Sequence, residues 1–415
     1  MEDQRKSPDR IQEGVSGPNA QRTELLDALR GFALFGVVFS NFAMLSFWLF
    51  SSPEQKAALP GARLDGLVNI FHGMFIDGKF YSIFSLLFGI GFGFFLDKGS
   101  DGLWRFYRRM LVLLLIGWLH MRYLWEGDIL FLYATLGLFL PLFRKVGGRA
   151  LVIIAALLII SPIAIDAVTV VTHGAFDPGA GAAAMAKAGD AILGVPDDQI
   201  NNMVPNGGLK EFKAYMYGAW WWRIEHLLST SRLPKVFGLF LLGLWVSRKK
   251  LFVDPASHRR LLQRVCIAGF ALGLPFSTLL WWCGEQLFHP PDPEALITTT
   301  AYALGVVPLA LGYASGFALL WTNERWRPRL RLLAPMGRMA LTNYLMQTII
   351  GLVLFTGMGF GWGARVSPII FESIAVVLFF AEFGWSIWWL RRFRFGPMEW
   401  LWRSLTYGKV MPIRK

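Results

Sequence analysis

Apolar segments long enough to cross a lipid bilayer recur along almost the whole chain, and they restrict its fold more than any other feature. A membrane-spanning helix needs about 20 mainly apolar residues to cross a hydrocarbon core of about 30 Å. The sequence predicts about ten such helices, near residues 30–50, 79–96, 110–125, 129–143, 150–172, 235–247, 265–287, 301–322, 339–358 and 367–390. The segment 66–77 is too short to span alone, which favours a re-entrant, interfacial or helix-extending piece.

The composition agrees with a lipid environment. Hydrophobic residues make up 54% of the 415 residues and charged residues only 17%, against about 25% in soluble proteins. A chain this apolar cannot bury its side chains in one water-soluble core, which excludes a soluble enzyme and a disordered chain. The predicted fold class is an all-α, polytopic integral membrane protein.

The distribution of Lys and Arg predicts the orientation. Most of the 41 basic residues fall on one side of the bilayer if the N-terminus is cytoplasmic. An even number of spans then places both termini in the cytoplasm. This asymmetry accounts for the net charge of +13 and indicates no nucleic-acid partner.

Four regions are predicted along the chain. They are a disordered cytoplasmic tail (1–24), an N-terminal transmembrane bundle (25–172), an extracytoplasmic loop (173–234), and a C-terminal transmembrane bundle with an amphipathic cytoplasmic tail (235–415). The loop carries an amphipathic segment with three consecutive tryptophans. This segment is predicted to be an interfacial anchor, a cap over an outward-facing site, or both.

Polar groups inside membrane spans are costly, so they mark candidate sites. Asp27 and Arg30 are neighbours on one face at the entry to the first helix, and Asn41 lies on nearly the same face. Asp27 and Arg30 form either a local ion pair or a cytoplasmic anion site whose arginine meets a phosphate. Asn41 is either an interhelical hydrogen-bonding group or a substrate contact.

His120 lies at the end of the third apolar segment, shortly before Glu126 and Asp128. A neutral imidazole accepts protons near neutral pH, and a carboxylate that holds the ring stabilises its protonated form. His120 is therefore predicted to be a general base oriented by Asp128 or Glu126. The alternative is a buried histidine bonded to a backbone carbonyl.

Three further cations are candidates for an anion site. Lys79 begins a span and either extends to the interface or contributes to the site. Arg338 lies near the inner end of a later span. Arg394 begins a basic, aromatic segment after the last span, which is either an interfacial helix on anionic lipid or a lid over the cytoplasmic mouth.

Amide side chains form another candidate group. Asn343 and Gln347 are four residues apart and share a helix face, so they either bond between helices or contact substrate. Glu372, Glu382 and Asp166 lie in or near spans, and the sequence offers no partner for them. No cysteine or histidine spacing indicates a metal site.

The chain resembles the YeiB-like family of bacterial multi-pass membrane proteins, most of which have no assigned function. The resemblance lies in LLDALRGFALFGVVFSN (25–41), GKFYSIFSLLFGIGF (78–92), LHMRYLWEGDILFLYA (119–134), PMGRMALTNYLMQ (335–347) and RFGPMEWLWRSLTYGK (394–409). It covers nearly all of the chain after about residue 24.

This family is distantly similar to membrane acyltransferases of the acyltransferase-3 and heparan-alpha-glucosaminide N-acetyltransferase types, which share an Asp-x-x-Arg-Gly opening, here Asp27, Arg30 and Gly31. The acyltransferase-3 pattern places a histidine late in the first helix, where this chain has Asn41 and no histidine. His120 is therefore the substitute candidate for the base, with Asp128 as its partner.

The resemblance implies a bacterial inner-membrane enzyme that moves an acyl group from cytoplasmic acyl-CoA to a sugar or other envelope acceptor. Acyl-CoA would be a co-substrate rather than a tightly bound cofactor. Asp27, Arg30, Lys79, Arg338 and Arg394 are then the predicted acyl-CoA contacts. Substrate and oxyanion contacts are predicted for Asn41, Asn343 and Gln347.

Other functions remain open from the sequence. The same polar groups suit a transporter or permease for a small or lipid-like molecule, or a non-catalytic membrane protein. Beyond the bilayer, acyl-CoA and the acceptor, a second copy of the chain is a possible partner.

Overall fold

A computed structural model describes residues 18–96, 99–193, 197–283 and 291–415. These residues form helices and turns without a β-strand among them, which confirms the all-α class. Residues 1–17 of the predicted tail (1–24) lie outside the described residues. The first helix begins at Pro18.

Ten α-helices lie among the described residues before the bend at residues 230–231. They are α1 (Pro18–Leu45), α2 (Pro53–Ala58), α3 (Asp65–Phe71), α4 (Lys79–Leu96), α5 (Gly99–Tyr123), α6 (Leu130–Gly137), α7 (Gly148–Val171), α8 (Ala180–Leu193), α9 (Asp197–Asn206) and α10 (Leu209–Ser229).

Eight helices follow in the C-terminal part. They are α11 (Arg232–Arg248), α12 (Arg259–Trp282), α13 (Ala295–Trp321), α14 (Arg327–Arg331), α15 (Ala334–Arg338), α16 (Ala340–Phe355), α17 (Pro368–Arg392) and α18 (Pro397–Tyr407). Proline begins both α17 and α18, where its missing N–H has no helical partner to lose. Gly408 ends α18 with a φ of 65°, a conformation that glycine adopts readily.

Within the described residues, six helical segments are long and apolar enough to cross a membrane, and two bent helix pairs raise that number to eight. The pairs are α10 with α11, bent by 64°, and α14–α15 with α16, bent by 71°. The chain is therefore a multi-pass membrane protein, and the count of about ten spans stays a prediction beside these six to eight candidates. Two predicted spans fall on α5, which carries Arg105, Arg108 and Arg109, and on α6, which has only 8 residues.

The segment 66–77 leads into α4 through a turn at Asp77 and Gly78. Residues His72–Ile76 form a π-helical turn, and together with α4 they belong to one apolar segment, Ala62–Leu96. Of the three alternatives for this segment, the structure shows the extension of the following helix.

The two predicted bundles share one hydrophobic core. Phe92 and Phe106 from the first bundle pack in the same cluster as Val236 and Phe240 from the second. Gly89 allows the close contact between α4 and α11, because a Cβ atom there would overlap the Phe240 carbonyl.

Candidate functional site

A cavity of about 1530 Å³ runs along α1 through the centre of the bundle. Arg30, Asn41 and Met44 all line it. Arg30 and Met44 are fourteen residues apart on one helix, which corresponds to about 21 Å. The cavity therefore extends over most of the thickness of a bilayer core.

Five arginines line one end of the cavity, which we call the basic end. They are Arg30, Arg109, Arg338, Arg394 and Arg403. Arg30 donates to Asp27 at 2.5 Å, and the Arg338 guanidinium lies 3.4 Å from the Arg394 carbonyl oxygen. This end carries more cations than carboxylates, so it is suited to a multiply charged anion.

Helix α18 forms a wall of the basic end. The Glu399 carboxylate accepts hydrogen bonds from the backbone N–H groups of Leu341 (2.7 Å) and Thr342 (3.1 Å), so it caps the start of α16. Burial raises the pKa of Glu399, while the hydrogen bonds from Thr342 oppose that shift. The Arg109 guanidinium lies 3.6 Å from the centre of the Trp402 ring. The segment after the last span is therefore docked against the cavity.

Beyond the basic end, the cavity lining includes an amide and a buried carboxyl group. The Asn41 Nδ2 atom is buried and has no hydrogen-bond partner among the described residues. Glu126 lies on the turn between α5 and α6 and accepts a hydrogen bond from the Tyr215 hydroxyl at 3.0 Å. Burial raises the pKa of Glu126 above the ordinary value of 4.5.

His120 and Asp128 are brought together, but neither lines this cavity. The His120 Nδ1 atom lies 2.8 Å from the Asp128 carboxylate, and its Nε2 atom lies 3.0 Å from the Thr348 hydroxyl. Both ring nitrogens thus have partners inside the protein. Tyr344 separates the pair from the cavity, with its hydroxyl 3.5 Å from Asp128. The catalytic role of His120 stays a prediction, and its position suits the support of the cavity wall.

Three other predicted site residues also lie away from the cavity. Lys79 is fully buried and donates to the Gly73 carbonyl at 2.7 Å, so it does not extend to the interface. Asn343 donates to Ser386 at 3.0 Å, and Gln347 donates to Glu382 at 2.8 Å. These amides bond between α16 and α17, as the interhelical alternative predicts.

The other two carboxyl groups without a predicted partner are also paired. Glu372 lies 2.8 Å from the His72 Nδ1 atom, and Asp166 accepts a hydrogen bond from Thr299. Both contacts join helices that are far apart in sequence, which explains why no local pattern indicated them.

Sequence reasoning missed the opposite end of the cavity, which we call the far end and define by Arg223, Arg232 and Lys235. Arg223 belongs to α10, and the other two lie three residues apart at the start of α11. That spacing places two cations on one face of an otherwise apolar helix, a signal that was available in the sequence. Helix α10 therefore forms a wall of the cavity, and its predicted role as an outward-facing cap stays a prediction.

Metal ligands are not grouped in the described parts of the chain. No set of three or more His, Cys, Asp or Glu side chains there is placed to hold a metal ion.

Comparisons with known proteins show which family the chain is related to. Residues 246–409 match the family described as "Protein of unknown function (DUF418)". The chain is 30% identical to the uncharacterized protein YxaH of Bacillus subtilis (strain 168), over 95% of this chain and 96% of YxaH. It is 29% identical to the uncharacterized protein YeiB of Escherichia coli (strain K12), over 94% of this chain and 98% of YeiB.

No solved structure matches the chain. The two relatives are similar to it over nearly their whole lengths, so the relationship extends well beyond the DUF418 region. The chain therefore belongs to the family of YeiB- and YxaH-like multi-pass membrane proteins.

Proposed function

We propose that the protein is an acyltransferase of the bacterial inner membrane, which moves an acyl group from cytoplasmic acyl-CoA to a hydroxyl or amine acceptor of the envelope. The observation that carries this proposal is the single cavity that joins a cluster of arginines to a buried carboxyl group. Its volume of about 1530 Å³ exceeds the range of about 300–1,000 Å³ usual for one small ligand. The cavity therefore has room for a donor and an acceptor together.

Acyl-CoA would enter at the basic end. Its phosphate groups would pair with Arg30, Arg338 and Arg394, since planar guanidinium groups bind phosphates through paired hydrogen bonds. The pantetheine arm would then extend along α1 toward Asn41, about 16 Å further along the helix. The unpartnered Asn41 Nδ2 atom is suited to donate to the developing oxyanion of the thioester.

The transfer itself needs one base. The acceptor oxygen or nitrogen attacks the thioester carbonyl as its proton passes to the base, the carbon–sulfur bond breaks, and the proton ends on the CoA thiol. Glu126 is our candidate base because it lines the cavity and its raised pKa lies closer to neutrality than that of an ordinary glutamate. The sequence predicts His120 and Asp128 as the base and its partner. In this proposal they do not contact the substrate and instead support the cavity wall.

A transporter for a small or lipid-like molecule is the second candidate. The observation that favours it is the extent of the cavity, which is lined along α1 from the basic end to the far end as a permeation path would be. In that case the same polar groups bind a solute and no bond breaks.

The test uses the purified full-length protein in lipid nanodiscs. We expect saturable acetyl-CoA binding by calorimetry that is lost in Arg30→Ala and kept in Arg331→Ala, an exposed arginine paired with Glu24. Release of free CoA thiol in the presence of envelope acceptors then identifies transfer. A folded, monodisperse sample that binds no acetyl-CoA contradicts the enzyme proposal, and solute flux in proteoliposomes would then support the transporter.

A further inference from the structure

The far end of the cavity holds cations that the proposed donor site does not use. Arg223 is 8% exposed and Lys235 is 5% exposed, and both line the cavity together with Arg232. A cation buried at this depth normally has a carboxylate partner, because removing its charge from water is costly. Within the described residues, none of these three forms an ion pair.

Neutral groups take the place of the missing carboxylates. Arg223 donates to the Asp128 carbonyl oxygen at 2.7 Å. The Arg232 guanidinium lies 5.1 Å from the centre of the Tyr81 ring, and the Lys235 ammonium lies 4.3 Å from the centre of the Tyr302 ring. Aromatic faces attract a cation without neutralising it. Neutral contacts therefore hold the three side chains in place without an ion pair.

Some hydrogen-bond donors at the far end also have no acceptor. The Nε atoms of Arg223 and Arg232 are buried and have no hydrogen-bond partner among the residues that the structure describes. A buried hydrogen-bond donor without a partner costs free energy. Two such donors on side chains that line a cavity therefore indicate a ligand with hydrogen-bond acceptor atoms.

The nearby carboxylates do not fill this role. Asp166 accepts a hydrogen bond from Thr299, and Asp190 accepts one from the Trp222 indole at 2.6 Å. Asp77 also lines the cavity but forms no ion pair with the three cations. Glu126, which accepts a hydrogen bond from Tyr215, lies near Arg223. These acids contribute to the electrostatics of the far end, but none of them forms an ion pair with the three cations.

We propose that the far end is a second anion-binding site, in which Arg223, Arg232 and Lys235 hold a phosphate-type group apart from the arginines of the basic end. Its identification as the site of an anionic acyl acceptor rests on the proposed function, whereas anion binding itself does not. The anionic group is either that of a soluble phosphate ester or that of a phospholipid headgroup, and one experiment separates the two.

The experiment uses the full-length protein in phosphatidylcholine nanodiscs. Glycerol 3-phosphate is titrated by calorimetry, with glycerol as the uncharged control, and native mass spectrometry counts phosphatidylglycerol retained from mixed nanodiscs. We expect at least one of these two probes to bind. Binding of the soluble ester alone indicates a soluble ligand, and retention of the lipid indicates a headgroup.

Variants assign the binding to the far end. Arg232→Gln and Lys235→Gln are each expected to weaken binding of the anionic probe about tenfold or more, the scale of a charge-assisted contact. Lys213→Gln, an exposed position on α10, is the matched control and should bind like the unchanged protein. Thermal unfolding identifies variants that fail to fold. Because two separate substitutions on α11 are tested, the proposal can still be judged if one of the two variants does not fold.

A parallel acetyl-CoA titration keeps this proposal separate from the donor site. Arg338→Gln should weaken acetyl-CoA binding about tenfold and leave binding of the anionic probe unchanged, while Arg232→Gln should do the reverse. The far-end site is refuted if neither probe binds, or if binding depends on Arg338 and not on Arg232 and Lys235. If acetyl-CoA does not bind but the anionic probe binds and depends on Arg232 and Lys235, the proposed function is refuted and the far-end site is not.

Discussion

Glu126 and Asp128 are two residues apart on one turn and have opposite environments. Glu126 lines the cavity, whereas Asp128 is 1% exposed and binds His120 behind the cavity wall. One turn thus supplies a carboxyl group to the cavity and another to its support. The two carboxylates are therefore expected to respond differently to substitution.

Substitution of Glu126 tests its role as a base. A base acts in its deprotonated form, so the transfer rate should rise with pH through the pKa of Glu126, which burial places above 4.5. In Glu126→Gln we expect a rate lower by about 100-fold or more and no such rise. The exposed Glu324→Gln is the control. An unchanged pH–rate profile in Glu126→Gln would exclude this base.

Substitution of Asp128 tests the support role. Asp128→Asn removes the charge that holds the His120 ring, and we expect a loss of about 1–3 kcal/mol in the free energy of unfolding, measured with denaturant in detergent. Acetyl-CoA affinity should stay the same, because neither residue lines the cavity. A variant with normal stability and no transfer activity would instead support the sequence prediction that His120 is the base.

The basic end should show a strong dependence on salt. Replacing Arg338 with Gln removes one guanidinium from a cluster of five, and we expect acetyl-CoA affinity to fall about tenfold. The loss should be larger at low ionic strength, where surface charges are less screened. Calorimetry at two salt concentrations measures both effects. Arg331→Gln serves as the control, and an equal loss there would mean that only general charge matters.

Gly337 is expected to tolerate no side chain. A Cβ atom at this position would overlap the backbone carbonyl of Asp27, so α1 and α15 would have to separate. We expect Gly337→Ala to lower stability by about 1–3 kcal/mol. Gly384→Ala is the matched control, because a Cβ atom there meets nothing within 4 Å. Thermal unfolding of both variants measures the difference, and equal melting temperatures would contradict the contact.

Local patterns predicted the parts of the site that lie on one helix. Asp27, Arg30 and Asn41 all line the cavity, because helical spacing alone places them on one face. The pairing of His120 with Asp128 also followed from their closeness in sequence. Whether that pair would face the cavity depended on Tyr344, which comes from α16 and lies more than two hundred residues later.

Tertiary contacts determined what the sequence could not supply. Arg109 lies at the basic end stacked on Trp402, which is almost three hundred residues away in sequence. Arg223 reaches the cavity because α10 lies over the bundle, and an amphipathic pattern does not reveal which face meets a cavity. The number of spans is hard to predict for a similar reason, since short apolar segments such as α6 satisfy the composition of a span without its length.

The close contact between α1 and α15 has a consequence for ligand recognition. Gly31 and Gly337 bring the two backbones together, and each glycine directly adjoins an arginine of the basic end, Arg30 or Arg338. Main-chain contact therefore fixes the separation of the two arginine Cα atoms, and hydrogen bonds to Asp27 and to the Arg394 carbonyl hold the guanidinium groups. An incoming phosphate meets a preorganised pair and loses less affinity to the ordering of its receptor.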